Sequence, residues 1–164
     1  MPHARPTTDR AKEALFNILY QTFDFEETKV LDLYGGMGSM ALEFSSRGCP
    51  EVVTVDFNRK SVQYIKDVAT KLEAAVKVKQ SKVLPFLKRI EDTYDIIFAD
   101  PPYDAGNEIQ KLIAALSEGN YLNEGGVFIL EHQSMTQIQH PQLVESRSYG
   151  QSTFSFFKFE ESNE

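Results

Sequence analysis

The chain's 164 residues, 41% hydrophobic and 25% charged, suffice for one domain with a substantial core and match an ordinary globular protein. A formal net charge of −7 excludes nucleic-acid capture by the whole surface, because phosphate affinity comes from Lys and Arg, and leaves room only for a local basic patch. A single cysteine excludes an internal disulfide and fits a reducing, cytoplasmic setting, three scattered histidines give no zinc spacing, and no apolar run reaches the ~20 residues of a membrane helix.

The first residues, Met1 to Pro6, hold no signal-peptide core. Thr8-Asp9 ahead of Arg10 to Leu19 reads as a capped amphipathic helix, with Ala11, Ala14, Leu15, Ile18 and Leu19 at helical spacing. Lys29 to Tyr34 reads as a short apolar strand running into glycines, and Met37 to Arg47 as a helix stopped by Gly48 and Pro50. Val52 to Asp56 is a second strand, and Asn58 suits the cap of a long helix from Arg59 to about Ala74. A third strand is expected over Val76 to Gln80, a short helix over Leu84 to Arg89, and a fourth strand over Tyr94 to Ala99. Helix Glu108 to Leu116, ended by Gly119-Asn120, precedes a fifth strand, Val127 to Glu131. Gln142 to Arg147 and Ser152 to Phe159 flank Tyr149-Gly150 as a β-hairpin. No repeat or linker breaks the chain, so residues 1–164 read as a single domain.

Strands alternate with helices, and most are continuous apolar runs, which is the pattern of a parallel sheet covered on both faces. The expected architecture is a doubly wound, mostly parallel seven-stranded α/β sheet, Rossmann-like, ending in an antiparallel hairpin. Ligands of such sheets sit beyond the carboxyl ends of the strands.

Three stretches fall on that rim. "VLDLYGGMGSMA", Val30 to Ala41, has glycines at 35, 36 and 38 that let backbone approach a ligand, with a helix N-terminus behind them. Asp56 ends the second strand, where an acid can accept hydrogen bonds from a ribose diol. Together they point to an adenosine-containing cofactor. Gly36-Met37-Gly38-Ser39-Met40-Ala41 also fits the dinucleotide pattern, so a nicotinamide cofactor stays open on the loop alone; Asp32 within the strand and the short chain argue against it. The third stretch is "FADPPYDAG", Phe98 to Gly106. Two successive prolines end a strand and hold the backbone extended, without N–H groups. Asp100 and the carbonyls of Pro101 and Pro102 then form a cradle of acceptors suited to an exocyclic –NH₂, and Tyr103 offers a ring on which a base can stack.

The tetrapeptide Asp100-Pro101-Pro102-Tyr103 resembles the D/N-P-P-Y/F motif of S-adenosylmethionine-dependent methyltransferases that act on amino groups of bases or on a glutamine amide. "RPTTDRAKEALFNIL" (Arg5 to Leu19), "LDLYGGMGSMALEFSSRG" and "SYGQSTFSFFKF" are similar to the opening helix, glycine loop and terminal hairpin of the bacterial family that methylates the 2-amino group of a guanine in small-subunit (16S) ribosomal RNA. The resemblance implies that Asp32, Tyr34, Gly36 and Gly38 line the methionine end of S-adenosyl-L-methionine, that Asp56 holds its ribose and that Phe57 lies against adenine. Asp100 to Tyr103 would hold the guanine beside the methyl group, and Thr7, Thr8, Asp9 and Arg10 would close over cofactor or RNA. The family usually has Phe-Ala-Gly-Ser-Gly where this chain has Tyr34-Gly35-Gly36-Met37-Gly38, and often an acid after the third strand where Ser81 and Lys82 stand. That leaves the adenine amine to Ser81 or a backbone group. The basic hairpin that usually precedes the Arg5 stretch in the family is not seen ahead of it here, which bears on RNA capture.

The expected chemistry is direct methyl transfer to an unpaired or flipped-out base, with no metal and no covalent enzyme intermediate, Cys49 being a packing residue. The partner is ribosomal RNA or an assembling small subunit. DNA adenine, a protein glutamine, or cofactor binding without catalysis are the alternatives. Arg59, Lys60 and Lys66 read as a solvated helix face.

Overall fold

The computed structural model describes residues 7–102 and 106–159. Among them, helix α1 (Asp9–Tyr20) starts where the Thr8 side chain accepts a hydrogen bond from the Ala11 N–H. It leads through a 3₁₀ turn at Phe25–Glu27 into strand β1 (Lys29–Leu33), helix α2 (Ser39–Ser46) and strand β2 (Glu51–Asp56). Helix α3 (Arg59–Leu72) is capped by Asn58, whose side chain accepts from the Ser61 N–H, as its sequence position suggests. Strand β3 (Val76–Gln80), helix α4 (Val83–Arg89), strand β4 (Tyr94–Ala99), helix α5 (Gly106–Glu118) and strand β5 (Leu122–Gln133) follow, and β6 (Leu143–Tyr149) and β7 (Ser152–Phe157) close the sheet.

The seven strands lie in the order β3-β2-β1-β4-β5-β7-β6. The first five are parallel, and β7 runs antiparallel between β5 and β6. This is the expected mostly parallel sheet with an antiparallel hairpin; the hairpin's second strand, rather than its first, meets the parallel set. The reversal of strand order falls between β1 and β4, which is where such a sheet opens a crevice.

Period-two alternation divides the core. Val30, Val52, Ile96, Phe98, Val127, Ile129, Phe154 and Phe156 face α1 and α2, against Leu15, Phe16, Leu19, Met40 and Phe44. Leu31, Leu33, Val53, Val55, Ile97, Ala99, Phe128 and Leu130 face the other way, against Val83, Phe86 and Leu87 of α4 and Leu112, Ile113 and Leu116 of α5. Phe16 meets Phe25 and Phe44 edge-on, and Cys49 is buried in the same cluster, its thiol pushed up to about 12 by burial. It is a packing residue, as its sequence context suggests.

The differences from expectation lie at element ends. β1 stops at Leu33 because Tyr34 takes a left-handed conformation (φ 62°), and α2 begins only at Ser39 because Gly38 does too (φ 83°). β5 starts five residues earlier than the apolar run suggests. Tyr94 pairs with Leu122 and Ile96 with Val127, so the turn-like residues between them form an irregularity inside the strand, with Gly125 at φ 79°. α5 extends two residues beyond each expected end, and the Phe25–Glu27 turn, begun by the Asp24 side chain accepting from the Glu26 N–H, had no periodic signal.

Candidate active site

In the sheet register Asp32 stands beside Thr54 on one side and Phe98 on the other, and Phe98 stands beside Ile129. Two positions further along each strand come Asp56, Asp100 and Glu131. Side chains two apart share a face, so four carboxylates from β2, β1, the end of β4 and β5 lie on the α1–α2 side of the carboxyl rim.

Asp32 is the deepest. It is 2% exposed and accepts a hydrogen bond from the Thr54 hydroxyl at 3.0 Å. Burial, which penalises the ionised form, together with the charge of Asp56, outweighs that bond and lifts the carboxyl to about 7. Asp100 is raised well above the usual carboxylate range by burial first, then by the charges of Glu131 and Asp32. Glu131 is raised by burial, against donated bonds from Thr7 and Ser152. An acceptor-rich, cation-seeking pocket results.

Beside it the glycine loop turns. Gly36 (φ 58°) has no atom within 4 Å of where a Cβ would stand, so its face is open to a ligand, whereas a Cβ on Gly38 (φ 83°) would come within 2.9 Å of Ile65 Cγ1. Asp56 braces this loop: Oδ2 accepts from the Gly36 N–H and Oδ1 from the Asn58 N–H, both at 2.8 Å. Each oxygen keeps a further lone pair for a diol. Phe57 is 62% exposed, with the Lys82 ammonium 5.2 Å from its ring centre. Such a bare ring and carboxylate fit an adenosine, and the row of carboxylates fits its cationic sulfonium and ammonium; the residues present therefore suit S-adenosylmethionine. The Ser81 hydroxyl is engaged, donating to the Lys82 carbonyl and accepting from Arg89 Nη2, so a backbone group is the freer partner for the adenine amine.

Pro101 is buried and Pro102 exposed at the mouth of the crevice; Tyr103 lies outside the described residues. Of the residues expected to close the site, Thr7 is buried and its hydroxyl donates to Glu131 Oε1 at 2.6 Å, Thr8 serves as the α1 cap, and Asp9 and Arg10 are exposed on the first turn. Two participants were not singled out from the sequence. Glu131 closes the apolar run of β5 with an acid, as Asp56 does that of β2, and that was the available signal. Glu108, on the first turn of α5, accepts from the Tyr34 hydroxyl at 2.6 Å. This bond ties the glycine loop to the helix that follows the Asp-Pro-Pro stretch, and burial and Glu108 together hold the phenol in its neutral form.

The strand order and this rim define a class I, S-adenosylmethionine-dependent methyltransferase. Residues 1–158 match the family model described as Conserved hypothetical protein 95. Ribosomal RNA small subunit methyltransferase D of Escherichia coli (strain K12) is 31% identical over 133 residues, covering 80% of this chain, which spans 66% of that relative's length. The protein of the same name from Haemophilus influenzae is 30% identical over 144 residues, covering 84% of this chain and 72% of its own. An RNA methyltransferase from Salinibacter ruber, solved with S-adenosyl-L-homocysteine, shares the fold at 13% identity, with a TM-score of 0.75 over 98% of this chain and 97% of its own. The chain belongs to the Conserved hypothetical protein 95 family, and these methyltransferase relatives set a nicotinamide enzyme aside.

Proposed function

We propose that the chain transfers a methyl group from S-adenosylmethionine to the exocyclic 2-amino group of a guanine in small-subunit ribosomal RNA. The observation that carries this reading is the placement of Asp100-Pro101-Pro102 at the end of β4, one strand from Asp32 and the glycine loop. A base amine held there sits next to a donor held by Asp32, Tyr34, Gly36, Gly38, Asp56 and Phe57. The bound cofactor supplies an electrophilic methyl on a positively charged sulfur. A guanine 2-amino group is a weak nucleophile because its lone pair delocalises into the ring. Asp100 and the Pro101 carbonyl would accept its two N–H bonds, raising electron density on nitrogen and aiming it. Pro102 fixes the backbone and Tyr103 stacks on the base. Orientation of this kind can supply up to ~7–11 kcal/mol of a barrier.

RNA needs cations, and they are concentrated. Residues 57–66 and 74–90 carry eight of the chain's 17 Lys and Arg and no Asp or Glu. All eight are exposed, along α3, β3 and α4 beside Phe57 and Ser81. Three strand spacings of ~4.8 Å separate β3 from β4, so a phosphate backbone on this strip lies within about 15 Å of the crevice. Arg59, Lys60 and Lys66, which read from the sequence as a solvated helix face, belong to this strip.

The decisive experiment is mass spectrometry of digested ribosomal RNA from cells with the active protein and with Asp100→Ala. A guanine that gains one methyl on N2 only with the active protein supports the reading, and an unchanged guanine inventory overturns it.

A further inference from the structure

Glu131 and His132 are successive residues near the end of β5, so their side chains leave the sheet on opposite faces. On the His132 side lies a cavity of about 280 Å³, closed in part by the β5–β6 connection, whose lining includes His132, Ser134, Thr153, Ser146 and Ser148. Among the described residues that line it there is no Lys, Arg, Asp or Glu. Three strand spacings of ~4.8 Å take β4 to β6, which places the cavity within about 15 Å of the crevice, toward the sheet edge opposite the basic strip. Its hydrogen bonds have a direction. A carbonyl only accepts, so His132 Nδ1 carries the proton it gives to the Gln133 carbonyl at 2.9 Å, and burial pulls the ring below the usual imidazole value and keeps it neutral. Nε2 therefore accepts, at 2.7 Å, from Ser155, which in turn accepts from Ser146 at 2.8 Å. A second chain runs beside the first. Ser134 donates to the Gly150 carbonyl at 3.2 Å, so Thr153 donates to Ser134 at 3.0 Å and Ser148 to Thr153 at 2.7 Å. Both chains begin at exposed serines of β6, two residues apart and hence on one face. Each hydroxyl has one proton, and both protons are spent inward. Ser146 and Ser148 thus meet the cavity with lone pairs alone, about 7 Å apart.

We propose that this cavity is a sugar subsite: it takes a ribose of the RNA strand flanking the target guanine, whose 2′-hydroxyl donates to Ser146 or Ser148. This rests on the reading of the chain as an RNA base methyltransferase. The chemistry disfavours the other parts of a nucleotide. A phosphate only accepts hydrogen bonds, so two hydroxyl oxygens without free protons, and no cation, offer it nothing. A base needs a platform, and His132, the one ring in the lining, is 9% exposed and bonded at both nitrogens. The 2′-hydroxyl is the one donor of a ribose within a strand, it complements the serines, and only RNA has it. Enzymes that act on a flipped base also choose substrates through the nucleotides beside it. A strand laid across the carboxyl rim then has phosphates on the basic strip of α3, β3 and α4, its target base in the crevice, and a neighbouring sugar at β6.

The probe is a fluorescein-labelled single-stranded RNA, the tightest binder among short segments tiling small-subunit ribosomal RNA, resynthesised with one 2′-deoxy nucleotide at each position in turn. Anisotropy titrations of the full chain with S-adenosylhomocysteine should find a position where deoxy substitution raises Kd about two- to tenfold, the worth of one neutral hydrogen bond. Ser146→Ala combined with Ser148→Ala removes both acceptors and leaves every buried donor its partner, because both serines donate inward. Tm and S-adenosylhomocysteine affinity should therefore hold, Kd for the all-ribose probe should rise by the same factor, and that position should become indifferent to deoxy substitution. A flat scan in the wild type, or a position equally sensitive in the variant, overturns the proposal. So does a loss in the variant that tracks inosine in place of guanosine and not the sugar, since that assigns the cavity to a base. The titration involves no methyl transfer. The expected scan from a protein that leaves ribosomal RNA unmethylated would therefore overturn the substrate reading and leave the sugar subsite standing.

Discussion

Replacing Asp32 by Asn separates what the rim costs the fold from what it does for the ligand. The carboxyl is 2% exposed and lifted from 3.8 to about 7. At ~1.4 kcal/mol per pH unit, ionised Asp32 costs the ligand-free fold about 4 kcal/mol at pH 8. Because the folded value lies above the unfolded one, the stability it contributes is full below pH 3.8 and lost as pH rises through about 7. About 2–3 kcal/mol of that loss falls between pH 5 and pH 8. Asn still accepts from Thr54 but buries an NH₂ without a partner, costing about 1–3 kcal/mol at any pH. The variant should therefore be more stable than wild type at pH 8 by about 1–3 kcal/mol, and level or less stable at pH 5. At ~2–4 °C per kcal/mol, Tm at pH 8 should rise by about 2–12 °C, while calorimetry shows weaker S-adenosylmethionine binding. A Tm difference identical at both pH values, or a variant less stable at pH 8, would refute the account of Asp32 as an electrostatically strained group.

Phe57→Ala should weaken cofactor binding by about 1–3 kcal/mol in calorimetry with Tm nearly unchanged, since the ring is largely exposed and gives up only a surface contact with the Lys82 ammonium. Lys77→Glu combined with Lys79→Glu should weaken RNA binding and flatten the plot of log affinity against log salt by about one to two, with cofactor affinity unaffected. Gly38→Ala should destabilise the protein by about 1–3 kcal/mol in chemical denaturation, from a positive φ and a Cβ pressed on Ile65.

The sequence was most legible where periodicity and chemistry agreed. Val76–Gln80 and Tyr94–Ala99 were found to the residue, because a β-branched or apolar run ended at a polar or proline stop. The start of β5 was not, because Gly125, Gly126 and Asn123 carry turn chemistry and only the pairing of Leu122 with Tyr94 makes that stretch strand. The rim acids Asp32, Asp56 and Asp100 stood out as charges closing apolar strands. Glu131 had the same signature but no neighbouring glycine or proline to draw attention. The Tyr34–Glu108 and Thr7–Glu131 bonds span 74 and 124 residues, and no local pattern encodes a contact of that range.

The place of β7 has a consequence for how the molecule is made. A ribosome delivers β5 and then β6, yet these two never touch: six residues emerging later, Ser152–Phe157, must slide between them. Until they do, Phe154, Phe156 and Phe157 are missing from both layers of the core, and β5 offers a bare backbone edge next to Glu131. Until Ser152–Phe157 emerges, the nascent chain thus stays open on one side of its own reaction crevice, and that strand is the one that locks it.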